Sequence, residues 1–167
     1  MAAPTASTWA AISQIGLNQA IDATSTTKHH PIGHTVRCRD TSSQARGEAE
    51  FRYAGGVAST AVGDLVVFDG DITLRALARS VGPCGVAMSA CPASSYGWYQ
   101  VTGNAIVAAG TLSDNKQPYL TATAGTVDET VVAGDYVLGA RCVTAADTGF
   151  AVVVLDHPQV ADTDDSA

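Results

Sequence analysis

The sequence predicts a mainly β protein, a compact antiparallel β-sandwich or small β-barrel with an extended N-terminal arm. Three observations lead there. From His34 onward, short alternating or apolar runs are broken by turn residues about every 8–12 positions, the spacing of an antiparallel sandwich or barrel. The first 33 residues differ in character, being rich in Thr, Ser and Ala with isolated large apolar side chains. A chain of 167 residues that is 46% hydrophobic can also bury a core without metal or disulfide staples. Three parts follow: an arm over 1–33, a β domain over 34–160 and an acidic, flexible tail over 161–167.

In the arm, Thr8 is placed to cap a short helix in which Trp9, Ile12 and Ile15 recur at a spacing of three. Gly16 and Asn18 would stop it. Thr24 to Pro31 reads as an extended linker. A polar segment carrying single large apolar residues cannot bury itself. It is suited to lie along another chain, with Trp9, Ile12, Ile15, Leu17 and Ile21 as anchors and His29 and His30 as interface contacts.

The β domain opens with Thr35-Val36-Arg37-Cys38-Arg39, where Val36 and Cys38 face inward. Gly47 to Tyr53 alternates more clearly, with Ala49, Phe51 and Tyr53 on one face and Glu48, Glu50 and Arg52 on the other. Gly55-Gly56 breaks it. Asp64 to Phe68 is a more buried strand, and Asp69-Gly70 is a turn signal. Ile72 to Ala78 is a further strand, ended by Gly82-Pro83, and Val86 and Met88 carry a core face towards Cys91-Pro92. Later strands are expected at Pro118–Thr123, Asp135–Cys142 and Ala151–Leu155. Val62-Gly63-Asp64-Leu65-Val66 echoes Ala133-Gly134-Asp135-Tyr136-Val137; in both, Gly-Asp feeds a buried strand.

Residues 94–109 look like the centre of the domain. They read as two apolar strands meeting in a hairpin at Thr102-Gly103-Asn104, because Gly and Asn supply the positive φ of tight turns. Tyr96, Trp98 and Tyr99 are the densest aromatic cluster in the chain. Trp98 and Tyr99 must point to opposite faces of one strand. The expectation is that one enters the core while the other meets a neighbouring subunit.

Charge bears on partners. The net charge is −7, and it is unevenly placed. Residues 1–80 hold seven basic and seven acidic groups, whereas residues 81–167 hold two basic and nine acidic ones. The acidic half should repel nucleic acid, so none is expected as a partner. Charged residues make up only 15% of the chain, so much neutral surface must meet water unless an assembly covers it. No secretory leader is expected from Met1-Ala2-Ala3-Pro4-Thr5, and no apolar run approaches the roughly 18 residues of a membrane span.

Catalytic and metal chemistry find little footing. Cys38, Cys84, Cys91 and Cys142 form no CxxC pair and are expected as buried thiols; a Cys84–Cys91 bridge is the alternative. His29, His30 and His34 lack an acidic or Cys partner at ligand spacing, so no metal is expected. There is no GxSxG elbow and no phosphate-binding glycine loop. Glu48 and Glu50 share a face with Arg52 and read as an ion-pair row. No enzyme activity and no cofactor are expected.

Several blocks together carry a resemblance: Arg39 to Ser43, Gly47 to Phe51, Gly56 to Asp64, Ser95 to Ala105, Tyr119 to Asp128 and Gly134 to Val137. Over roughly residues 35–145 the chain resembles capsid decoration (cement) proteins of tailed bacteriophages. The resemblance implies a non-enzymatic virion protein, made in the bacterial host cytoplasm. It would bind the capsid exterior and bridge subunits of the major capsid protein. It also implies self-association, with a homotrimer favoured over a dimer, and arms that reach over neighbouring subunits. The alternative expectation is a carbohydrate- or receptor-binding β-sandwich of a head fibre or tail adhesin, in which Tyr96, Trp98 and Tyr99 form an exposed stacking platform.

Overall fold

A computed structural model describes residues 9–12, 17–42, 47–131 and 135–162. The fold over these residues is all β, with twelve strands and no helix. The first sheet begins with β2 (Thr35–Asp40) and β3 (Glu48–Gly55), which pair antiparallel with Val36 opposite Phe51 and Cys38 opposite Ala49. Their alternation sends Val36, Cys38, Ala49, Phe51 and Tyr53 to one buried face. The short β1 (Trp9–Ala11) pairs with the other side of β2, with Trp9 opposite Asp40. Trp9 therefore starts a strand where a helix was predicted. Its ring lies edge-on to Phe51 at 5.0 Å, a long-range contact that overrides the local spacing of three.

Four more strands close a barrel on β3. They are β4 (Leu65–Asp69), β5 (Ile72–Arg75), β6 (Gly82–Ala87) and β7 (Tyr96–Gln100). The order round the ring is β3-β7-β6-β4-β5, and one parallel pair, Gly55 with Ile72, returns it to β3. That single pair is the seam of the barrel.

The remaining strands are β8 (Thr102–Ala108), β9 (Tyr119–Leu120), β10 (Val127–Asp128), β11 (Tyr136–Asp147) and β12 (Phe150–Ala161). They run in the order β8-β12-β11-β9-β10, and a parallel bridge from Ala109 to Val127 ties the two ends together. β12 also pairs with β6 through Gln159–Pro83 and Val160–Gly82, which joins this sheet to the barrel.

Three apolar clusters fill the spaces. Val66, Phe68, Ala87, Tyr99 and Val101 occupy the barrel interior. Leu65, Val67, Cys84 and Val86, from the opposite faces of β4 and β6, pack with Ala105, Val107, Ala151, Val153 and Leu155 of the second sheet. β4 is thus buried on both faces, which is why it reads as an unbroken apolar run. The third cluster lies outside β3 and β7, where Tyr53 and Trp98 meet Ile21 of the N-terminal segment.

The predicted hairpin at Thr102-Gly103-Asn104 is not one. β7 pairs with β3 and β6, whereas β8 pairs with β12, so the chain turns a corner from the barrel into the second sheet. Gly103 does adopt a positive φ of 80°, but for close approach: a Cβ there would stand 2.5 Å from the Glu48 carbonyl oxygen. The longest hairpin is instead β11–β12, closed by Thr148 and Gly149 at φ 53° and 86°, as a tight primed turn requires. Both of its strands outrun the apolar runs seen in sequence. A register shift between Leu138 and Ala140 absorbs Gly139 and lets β12 continue past His157 and Pro158.

Candidate functional site

The N-terminal segment lies on its own domain. Gln19 is buried and holds it there. Its amide nitrogen donates to the carbonyls of Ala23 at 2.8 Å and Tyr96 at 2.9 Å, and its amide oxygen accepts from the Tyr53 hydroxyl at 2.8 Å. The Trp98 indole N–H donates to the Gln19 backbone carbonyl at 3.1 Å. Ser25 forms a two-bond bridge with Tyr96, and the His29 N–H donates to the Tyr53 hydroxyl. The polar atoms of Tyr53 and Trp98, the two rings at the heart of the cluster, therefore find their partners in residues 19–29.

This docking changes what the expected interface residues do. Trp98 and Tyr99 do point to opposite faces, but both are enclosed by this chain, at 0% and 1% exposure. Trp98 sits under the N-terminal segment and Tyr99 inside the barrel, so neither meets a neighbouring subunit. Trp9 and Ile21 are buried in the same cluster as Trp98, and Leu17 packs half-buried against it. His30 is buried too, stacked on His34 with ring centroids 5.4 Å apart and tilted against Trp98 at 5.0 Å. Burial, reinforced by the neighbouring His34 and His29, pushes the pKa of His30 below the ordinary histidine value. Only Ile12 and His29 keep exposed side chains, and His29 lies 3.2 Å from the Ser25 hydroxyl. Ile15 lies outside the described residues, as do the tail residues beyond Asp162.

The surface best suited to a partner was not singled out in the sequence. It runs along residues 72–81, where Ile72, Leu74, Leu77 and Val81 are exposed at 46%, 43%, 42% and 61%. The cause is an inverted register in β5. Strand alternation would bury Ile72 and Leu74 and expose Thr73, but Thr73 is wholly buried. Its hydroxyl donates to the Gly55 carbonyl at 3.0 Å and lies 3.2 Å from the Tyr99 hydroxyl. At the one-pair seam the barrel needs a hydrogen-bonding side chain, and supplying it turns the two aliphatic neighbours outward. The retrospective signal in the sequence is the Thr between Ile72 and Leu74.

The ridge rests on a rigid base. The buried Asp64 carboxylate accepts from Arg75 Nε at 2.7 Å and from the Ala61 N–H at 2.8 Å, which fixes the end of β5. Asp135, its counterpart in the Gly-Asp echo, is also buried and accepts from the Arg79 N–H at 2.6 Å, which fixes the turn carrying Leu77 and Val81. Both aspartates of the echo thus anchor segments of the ridge.

The four cysteines are free and buried. Burial pushes the Cys38 thiol up to about 11 and the Cys84 thiol up to about 12, far from a reactive thiolate. Among the described residues, no three His, Cys, Asp or Glu side chains are grouped as a metal site. Glu48 forms ion pairs with Arg37 at 2.9 Å and Arg39 at 3.1 Å, both exposed. Arg52 stands apart from that row, over the ring of Phe68. Among the described residues, no helix is long and apolar enough to cross a membrane. The sequence matches no protein-family model and no curated protein.

Proposed function

We propose that the protein is a structural virion component that binds the outside of a tailed-bacteriophage capsid and stabilises it by bridging major capsid protein subunits. The observation that carries this reading is the outward aliphatic ridge Ile72, Leu74, Leu77 and Val81, set in a chain with few charges. An aliphatic row of this kind, two of its members turned outward by a buried threonine, calls for a protein surface to cover it. Full burial of such a side chain is worth about 1.5–3 kcal/mol. Covering the exposed half of each of four then yields roughly 3–6 kcal/mol per site, before ordering costs. Repeated over a lattice and joined by self-association, preferably as a homotrimer, such modest contacts add up. The resemblance to decoration proteins supplies the partner. The ridge replaces Trp9, Leu17, Ile21 and His30 as the expected contact, since those side chains pack into this chain's own core. The carbohydrate-binding alternative has less support, because Trp98 and Tyr99 are enclosed and of its three platform rings only Tyr96 keeps partial exposure.

The test is co-sedimentation of the purified protein with mature capsids of the phage that encodes it. Wild-type protein should saturate the capsids at a fixed ratio, and Leu74→Asp with Val81→Asp should lower occupancy at least tenfold while the free protein stays folded. Full occupancy by the double variant would remove the ridge from the interface. No saturable binding by the folded wild type would remove the capsid reading itself.

A further inference from the structure

A cleft of about 220 Å³ opens where the mouth of the barrel meets the second sheet. It is lined by Thr35, Arg52, Phe68, Val101, His157 and Gln159, among others. At about 30 Å³ per water it has room for roughly seven waters. Arg52 is its unusual member. The guanidinium carbon stands 4.3 Å from the centroid of the Phe68 ring. Phe68 in turn meets Tyr99 edge-on at 5.8 Å, so the arginine caps an aromatic column that fills the barrel. Its Nε is buried and has no hydrogen-bond partner among the described residues. Its strand neighbours across the sheet are Thr35 and Tyr99, neither of them acidic.

Enclosed and unpaired, the Nε–H leaves the guanidinium short of partners within the described residues. Arg52 lines the cleft with its guanidinium carbon over the Phe68 ring, so the donors of its fork other than the enclosed Nε are the ones placed to meet a guest. Thr35 and Gln159 add hydrogen-bonding groups to the wall. His157 is brought there by the bulge in β12: at φ 45° its N–H donates to the Val101 carbonyl. Two acids flank the imidazole, with Glu50 Oε2 at 3.6 Å from Nε2 and Asp156 Oδ1 at 3.5 Å from Nδ1.

We propose that this cleft binds a carboxylate, held edge-on by Arg52 against Phe68. A planar, two-oxygen anion fits a guanidinium edge better than a tetrahedral one does. This inference is independent of the capsid reading. The carboxylate has two sources, a free small acid or an acidic side chain of another protein, and the probes below separate them.

The experiment is an NMR titration of the full-length protein at constant ionic strength. The Arg52 Nε–Hε signal and the amides of Thr35 and Gln159 are followed with acetate, N-acetyl-aspartate amide or inorganic phosphate. Saturable shifts with a carboxylate are expected. Arg52→Gln should weaken binding roughly tenfold or more, as loss of a charge-assisted pair predicts, and Arg52→Lys should also weaken it while keeping the charge. Tighter binding of the aspartate amide than of acetate assigns the site to a protein side chain; equal binding assigns it to a free acid. Linear, unsaturated shifts with both carboxylates, saturation by phosphate alone, or equal binding by Arg52→Lys would each overturn the proposal. The lysine variant keeps the test decisive if the glutamine variant does not fold.

Discussion

Gln19→Ala tests whether the N-terminal segment belongs to the core. The side chain makes three hydrogen bonds of 2.8–2.9 Å, two donated to backbone carbonyls and one accepted from Tyr53. At about 1 kcal/mol net for each bond, the loss is about 3 kcal/mol. For a chain of 167 residues this lowers Tm by roughly 6–12 °C. Urea unfolding followed by tryptophan fluorescence is a suitable assay, because Trp98 bonds the Gln19 backbone and keeps that partner in the variant. The midpoint should fall with an unchanged m value. Tyr53→Phe removes the other end of one bond, so a double-mutant cycle should return a coupling of about 0.5–2 kcal/mol. A loss below about 0.5 kcal/mol for Gln19→Ala, or strict additivity with Tyr53→Phe, would refute the docked segment and restore a free arm.

Deleting residues 1–33 should abolish cooperative unfolding, since it bares Tyr53 and Trp98; a cooperative urea transition in the truncated protein would contradict this. Gly103→Ala should cost about 2–4 kcal/mol in urea unfolding, because it combines a positive φ with a Cβ crowding the Glu48 carbonyl. Lowering the pH from 7 to 5 should destabilise the protein through His30. Its folded pKa is depressed, so its contribution is present above the unfolded value of 6.5 and is lost as pH falls; His30→Gln should shrink that pH difference. Cys84 acts in the alkaline direction. Its thiol is raised from 9.0 to about 12, so stability falls as pH rises through that window. Native protein at pH 8 should therefore resist a thiol reagent that labels it quickly in urea.

Much of the first sheet was legible because each strand has one buried and one wet face. In β2 and β3 the alternation named the inward residues correctly from Val36 to Tyr53. β4 was legible for the opposite reason, since burial on both faces leaves an unbroken apolar run. β5 was not, because Thr73 answers the needs of a seam made between residues 17 positions apart, Gly55 and Ile72, and no local rule sees that. The N-terminal segment was half legible. Isolated apolar residues do mark a strand of chain that must cover something, and Trp9 and Ile21 do anchor it. Composition says nothing about whose surface is covered. That was decided by Gln19, a residue with no periodicity to draw attention to it.

The corner at residues 101–103 shows why turn chemistry alone misplaced the centre of the fold. A tight hairpin and a strand that changes sheets both need a residue at positive φ, and Gly103 serves either. What selects the corner is distant in sequence. The Val101 N–H donates to the Glu50 carbonyl, and the Thr102 hydroxyl accepts from the Glu50 N–H, so β3 holds the chain at the exit of β7. Beyond it, β8 finds β12 some fifty residues later, with Gly103 opposite Leu155. The same crossing shapes the surface in two ways. By leaving β7 in the barrel wall it encloses Tyr99 and turns Trp98 towards the N-terminal segment that covers it. By bringing β12 across the barrel mouth it sets His157 and Gln159 beside Arg52 and makes the cleft. The aliphatic residues of the 72–81 segment and that cleft thus face outward, whereas Trp98 and Tyr99, which stand out in the sequence, are enclosed.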